Sequence, residues 1–322
     1  MHVWDKRRAV RLLAKALVTA LLLGFAFRTV DMAAVSKLIS RLNGSWAAAA
    51  LVLTALLIIS DAVLLERMMR AFGRRILFGT AALYSFVGWF FSNVAPSTVG
   101  GDVFRGVQLA RLGMSPGTAA RLVVAIRLLS LTTLVIVMLT GFPIALRWLS
   151  APRDVLLLGS VVVTAAGAIF ALFVFAYVAQ RLPKIERLKF IRKLEVVAGD
   201  FRMLLLPSLP IAIAWCAALA QHLLRVAMLA CLAAGLGLKI PFAVLFALTP
   251  AALLMAMLPI SFGGWGVREL SFVYLLGAAG ISAELALSLS IAFGLLRVIV
   301  GVMGGLTWLM VNDDHFRVDA SA

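Results

Sequence analysis

Apolar residues in this chain gather into long continuous runs separated by short polar stretches. The runs fall at 9–27, 46–65, 76–95, 116–140, 155–178, 204–234, 241–258 and 283–311, with a shorter piece at 268–280. An α-helix rises ~1.5 Å per residue, so about 20 apolar residues cross the ~30 Å hydrocarbon core of a bilayer. The runs therefore predict eight or nine helices, most long enough to span. Backbone polar groups in lipid must be satisfied within the segment, which favours helices, and the alternating pattern of a barrel strand does not occur.

Basic residues between the runs orient the spans. Residues 1–15 carry five basic and one acidic side chain, 66–75 four and one, and 181–202 seven and three. Under the positive-inside rule all three face the cytoplasm. Three apolar runs separate 66–75 from 181–202, and an odd number of crossings would put those two on opposite sides. One run must turn back. The stretch 76–112 holds the helix breakers Pro96, Gly100, Gly101 and Gly106, and irregular backbone is tolerated at membrane depth where it lines a protein-walled cavity. Within 181–202, Ile185, Leu188, Ile191, Leu194 and Ala198 recur at three or four residues among Lys and Arg, the pattern of an amphipathic interfacial helix.

That turn has a second copy. Pro96-Ser-Thr-Val-Gly100-Gly101-Asp-Val-Phe-Arg105 aligns without a gap on Pro259-Ile-Ser-Phe-Gly263-Gly264-Trp-Gly-Val-Arg268, both reading P-x-x-x-G-G-x-x-x-R. Each is followed by a Gly-x-Ser step, at Gly113 and Gly280, and then by an apolar helix with a deep arginine, Arg127 or Arg297. Three crossings lie between the two hairpins, so they open from opposite sides, the arrangement that marks a central binding site in secondary transporters. The expected fold is an all-α polytopic membrane protein. About six full spans and two broken or re-entrant helical hairpins, related as an inverted repeat, form one transmembrane domain over 1–322. The repeat cores are 76–140 and 241–311, and both termini are cytoplasmic.

Composition agrees and sharpens the question of charge. Hydrophobic residues make up 63% of the 322, charged residues only 14%, and mean hydropathy is +1.07, against about 45–50% and about 25% in soluble domains. The net charge is +16. Outside the apolar runs lie 23 of the 30 basic and ten of the 14 acidic residues, a net +13 that labels topology. Nucleic-acid binding has no separate support. The remaining +3 comprises seven arginines, Arg105, Arg111, Arg121, Arg127, Arg225, Arg268 and Arg297, with Asp61, Asp102, Glu269 and Glu284.

An arginine near mid-membrane costs about 2.5–3.5 kcal/mol on insertion scales, which makes it a functional candidate by default. Its planar fork of donors also suits phosphate. Arg105, Arg127, Arg268 and Arg297 are expected to line a polar pocket for an anionic headgroup, with Asn93, Asp102, Glu269 and Arg225 beside them. Gly100–Gly101 and Gly263–Gly264, with Pro96 and Pro259, form the turns. Arg127 and Arg297 have no acid three or four residues away on their own helices, whereas Arg105 has Asp102 and Arg268 has Glu269, so a purely structural role weighs equally for that second pair. Gln221, His222 and Arg225 form a further polar cluster that suits either a headgroup or an interhelical hydrogen bond, and Asp61 suits pairing with one of the arginines.

The segments NVAPSTVGGDVFR (93–105) and PISFGGWGVRE (259–269) resemble the two Gly-rich turns of the transmembrane, flippase-like region of lysylphosphatidylglycerol synthases and their stand-alone relatives, over roughly 10–310. The family often places an acid before the deep arginine and another three residues on, where this chain has Ile126 and Ser130. The resemblance implies handling of lipid. Its full-length synthases carry a soluble catalytic domain, while the longest polar segment here is about 22 residues, as in a stand-alone member.

Enzyme signatures are weak. His2, His222 and His315 are not spaced as metal ligands, and no P-loop, nucleophile elbow or dinucleotide fingerprint occurs. Neither a catalytic residue, a metal nor a cofactor is expected. The leading expectation is a flippase or lipid transporter in a bacterial cytoplasmic (inner) membrane, moving an anionic or phosphate-bearing amphiphile such as a phospholipid, an isoprenoid-linked lipid or a hopanoid-type lipid. The alternatives are an integral-membrane enzyme or enzyme subunit using Asp102, Glu269 or His222, and a membrane scaffold for a lipid-modifying synthase held through 181–202.

Overall fold

The computed structural model describes residues 37, 40–94, 99–178, 199–200, 202–205, 208–258, 261 and 263–311. The first apolar run, most of 181–202, and Pro96 and Pro259 lie outside the described residues. Nine helices follow in order among those described: α1 (Gly44–Ala71), α2 (Phe78–Val94), α3 (Gly100–Arg111), α4 (Pro116–Ala145), α5 (Pro152–Val178), α6 (Leu209–Gly235), α7 (Phe242–Ala256), α8 (Val267–Ala278) and α9 (Ala283–Met310). No strand occurs among the described residues.

Five helices, α1, α4, α5, α6 and α9, are long and apolar enough to cross a membrane. They carry large apolar side chains on their outer faces, such as Leu156, Val163 and Phe170 on α5 and Leu309 on α9, a surface that water would not support and lipid does. The other four are short. With 15 residues in α7 and 12 in α3 and α8, these reach only ~18–23 Å at 1.5 Å per residue, less than the ~30 Å core. The sequence sets their limits. Ser115 caps α4 through its hydroxyl oxygen, which accepts from Thr118 N at 3.2 Å, and Asn43 caps α1 by accepting from Ser45 N at 2.9 Å.

Helix contacts fall in matched pairs once α1–α4 is laid against α6–α9. α1 packs on α2 as α6 on α7; α2 on α3 as α7 on α8; α3 on α4 as α8 on α9; and α1 on α4 as α6 on α9. Across the halves, α2 packs on α9 and α7 on α4, while α1 and α6 run against each other in the most extensive contact of all. The match is broken once, since α4 packs on α6 without a counterpart of similar extent between α9 and α1, and α5 stands outside it. The cross-half contacts depend on missing side chains. A Cβ on Gly304 of α9 would stand 2.5 Å from Phe86 O of α2, and one on Gly141 of α4 would stand 3.0 Å from Ala247 Cα of α7. Small residues of this kind let membrane helices approach backbone to backbone. Between α1 and α6, Ser60 Oγ donates to Ala217 O at 2.8 Å.

Candidate functional site

The two halves enclose a cavity of about 210 Å³. Seven of the nine helices line it: α1 through Leu57 and Asp61, α2 through Trp89 and Ser92, α3 through Asp102 and Arg105, α4 through Ile126, Arg127, Ser130 and Leu134, α6 through Gln221, His222, Arg225 and Met228, α7 through Leu253 and Ala256 with Met257 just beyond it, and α9 through Phe293 and Arg297. Only α5 and α8 contribute nothing. Arg297 is the fifteenth of 28 residues in α9, ~20 Å from either end.

On the side of the first hairpin the charges are matched. The Arg105 guanidinium donates to the Asp61 carboxylate, joining α3 to α1. Its other terminal nitrogen lies 4.0 Å from Asp102. Asp102 accepts from Arg127 of α4. The result is a chain of alternating charge, Asp61–Arg105–Asp102–Arg127, across three helices. The expectation that Arg127 lacks a counter-charge is thus corrected: its partner comes from the neighbouring hairpin instead of its own helix. Asp61 takes the role of arginine partner.

Across the cavity the charges are not matched. Arg225 donates to Gln221 Oε1 at 3.2 Å and to His222 Nδ1 at 3.2 Å. His222 Nε2 lies 2.9 Å from the carbonyl oxygen of Ser130 on α4. A carbonyl only accepts and a guanidinium only donates, so His222 carries its proton on Nε2, offers a lone pair at Nδ1, and is neutral. Arg225 therefore has two neutral partners. The Arg297 guanidinium makes no hydrogen bond or ion pair with a described residue, and its central carbon stands 5.9 Å from the centroid of the Phe293 ring, within range of a cation–π contact. Gln221, itself buried, leaves its side-chain nitrogen without a partner.

The repeated arginine of the second hairpin sits elsewhere. Arg268 and Glu269 are 1% and 0% exposed and do not line the cavity. Arg268 binds the Glu269 carboxylate through Nε at 3.0 Å and Nη2 at 2.5 Å, and Nε also reaches Ser290 Oγ at 3.2 Å. The other Glu269 oxygen accepts from Gly266 N at 2.6 Å, satisfying the start of α8. Trp265 lies against the Arg268 guanidinium at 4.4 Å. The pair is a buried clamp that holds the turn, the structural side of the balance struck from sequence.

The two Gly-Gly steps also do different work. In the first, Gly100 opens α3 and a Cβ on Gly101 would stand 2.5 Å from Gly88 O, so the step lets α3 press against α2. In the second, Gly263 and Gly264 have φ of +55° and +81°, which L residues with side chains rarely adopt. Asn93 does not line the cavity; its amide donates to Arg297 O at 3.0 Å. Sequence reasoning passed over Trp89, Ser92, Ser130 and Phe293 as lining residues, and none of them breaks the apolar pattern enough to be seen. Outside the cavity, Arg121 is held in two bonds by Asp200, at 2.8 and 2.5 Å. Among the described residues no group of His, Cys, Asp and Glu is placed to hold a metal.

A family model described as the lysylphosphatidylglycerol synthase TM region matches residues 12–305, nearly the whole chain. No curated protein matches the chain significantly.

Proposed function

The chain belongs to the lysylphosphatidylglycerol synthase transmembrane-region family, and we propose that it is a lipid transporter that carries a phosphate-bearing amphiphile between leaflets, its headgroup in the central cavity. The observation that carries this reading is the pair Arg225 and Arg297: two guanidinium groups at mid-helix facing one cavity, neither hydrogen-bonded nor ion-paired to a carboxylate among the described residues. Such groups are costly in a membrane unless they meet an anion. The matched packing of the halves supports an inverted repeat, α1–α4 against α6–α9, in which one half rocks against the other around the headgroup. In this reading the basic segments 66–75 and 181–202 and both termini face the cytoplasm of a bacterial cell.

Transport has more support than chemistry on the lipid. Each carboxylate or imidazole that an enzyme would need is already committed: Asp102 to Arg127, Glu269 to Arg268 and Gly266, and His222 to Ser130 and Arg225. The test is translocation of a fluorescent phospholipid in proteoliposomes, read by dithionite quenching, with Arg225→Ala and Arg297→Ala at matched incorporation. Wild-type protein should speed the exchange, and each variant should lower it at least tenfold. Wild-type rates in both variants would overturn the site.

A further inference from the structure

Counting the charge on the cavity wall narrows the headgroup. Four guanidinium groups, Arg105, Arg127, Arg225 and Arg297, face it with two carboxylates, Asp61 and Asp102. Both carboxylates are bound by arginine, His222 is neutral by its hydrogen bonds, and Arg268 is neutralised by Glu269 outside the lining. The undescribed residues of the two turns, 95–98, 259–260 and 262, bear no ionisable side chain. Among the described residues the wall is left with a surplus of two positive charges, both on the α6 and α9 side. In a site of low dielectric, an anion of one charge leaves half of that surplus uncompensated, while an anion of two charges neutralises it. Phosphodiesters such as phosphatidylglycerol carry one negative charge. A terminal phosphate carries about −1.5 to −2 near pH 7, because its second pKa is ~6.

We infer that the cavity selects a doubly charged terminal phosphate, the end of a phosphomonoester or diphosphate lipid, over the singly charged phosphodiester of ordinary phospholipids. Arg225 and Arg297, both on the cavity wall, supply the two charges. A terminal phosphate has three exposed oxygens to meet these groups, whereas a diester has two. This inference rests on the reading of the cavity as a headgroup site and adds the charge of the headgroup to it.

The test measures lipid retained by the full chain in phosphatidylcholine nanodiscs, doped with equal phosphatidic acid and phosphatidylglycerol of the same acyl chains, by native mass spectrometry. Phosphatidic acid should be retained at least tenfold more than phosphatidylglycerol. Two variants each remove one surplus charge by independent routes. Arg297→Gln deletes a guanidinium that binds no described residue, and Gln221→Glu sets a carboxylate of nearly the same shape against Arg225. Either should bring the two lipids to within about twofold. Equal retention by the wild type, lost for both lipids in Arg225→Ala, would overturn charge selection while leaving the headgroup site standing. Retention of neither lipid in an Arg225- or Arg297-dependent way would overturn the headgroup site itself. Arg225- and Arg297-dependent binding of inorganic phosphate, with no lipid retained, would support the doubly charged site and assign its occupant to solution.

Discussion

The side-chain amide of Asn93, in the last turn of α2, donates to the backbone carbonyl of Arg297 at 3.0 Å, and one helical turn further along α9 the space beside that amide is left open by Gly301. A Cβ at Gly301 would collide with Asn93 Nδ2, the nearest atom to it. Sequence and structure meet here: a small residue in an apolar run makes room for a polar side chain that ties the first hairpin to the backbone of a cavity arginine. Gly301→Ala should therefore destabilise by about 1–3 kcal/mol through overpacking, and Asn93→Ala by about 1 kcal/mol for the lost bond. The double variant should be less destabilised than the sum, since removing the amide vacates the space. Thermal unfolding in detergent checks this, and strict additivity would show that the two residues are not coupled.

Asp61 and Arg105 are both nearly enclosed, and 44 residues separate them in sequence. Asp61→Ala takes away the hydrogen-bonded partner of a buried guanidinium and leaves it only Asp102, 4.0 Å away and already bound to Arg127; breaking a buried pair typically costs about 3–5 kcal/mol. Replacing both members with apolar residues of similar volume, as in Asp61→Leu with Arg105→Met, should restore most of the loss, because no charge is left unmatched. Comparing the midpoints of chemical unfolding for wild type, single and double variants checks it; a double variant as unstable as Asp61→Ala would mean that the pair does more than neutralise itself.

Glu269 joins two functions in one carboxylate, accepting from Gly266 N and holding Arg268. With both side chains out of contact with lipid and water, Glu269→Ala leaves an orphan amide and an unpaired charge together, while Glu269→Gln keeps one acceptor. Yield of folded protein by size-exclusion chromatography should fall severely in the first and partly in the second. Equal yields would argue that the clamp is dispensable.

Much of this arrangement is legible in the chain. The run lengths give the ends of the long helices to within six residues, and Gly100–Gly101 and Gly263–Gly264 mark both turns. What pattern reasoning does not reach is partnership. Arg127 and Arg297 are equally lonely on their own helices, yet α3 brings Asp102 to Arg127, while no described carboxylate forms an ion pair with Arg297 and the attraction it feels from Glu269 comes from a group already bound to Arg268. A window of three or four residues registers only neighbours along one helix, whereas these pairings are fixed by which helices touch. The repeated motif misleads for a related reason. Arg105 and Arg268 hold the same place in P-x-x-x-G-G-x-x-x-R, but Arg268 has an acid next to it and folds back on the turn, while Arg105 must reach α1 and so borders the cavity.

Asp102 is where transport and binding should part. It holds Arg127 and lies 4.0 Å from Arg105, so Asp102→Asn releases positive charge onto the wall without changing the shape of the side chain. An anionic headgroup should then be held more tightly, with retention of phosphatidic acid rising about three- to tenfold in native mass spectrometry. Tighter holding is not faster carriage, since a carrier must release what it binds, and a deeper well at the midpoint slows the step that empties it. Translocation by dithionite quenching should therefore fall as retention rises. A parallel fall in both would instead mean that the Asp61–Arg105–Asp102–Arg127 chain simply keeps the first hairpin folded, and the opposed change is the outcome that separates an electrostatic balance on the cavity wall from a brace.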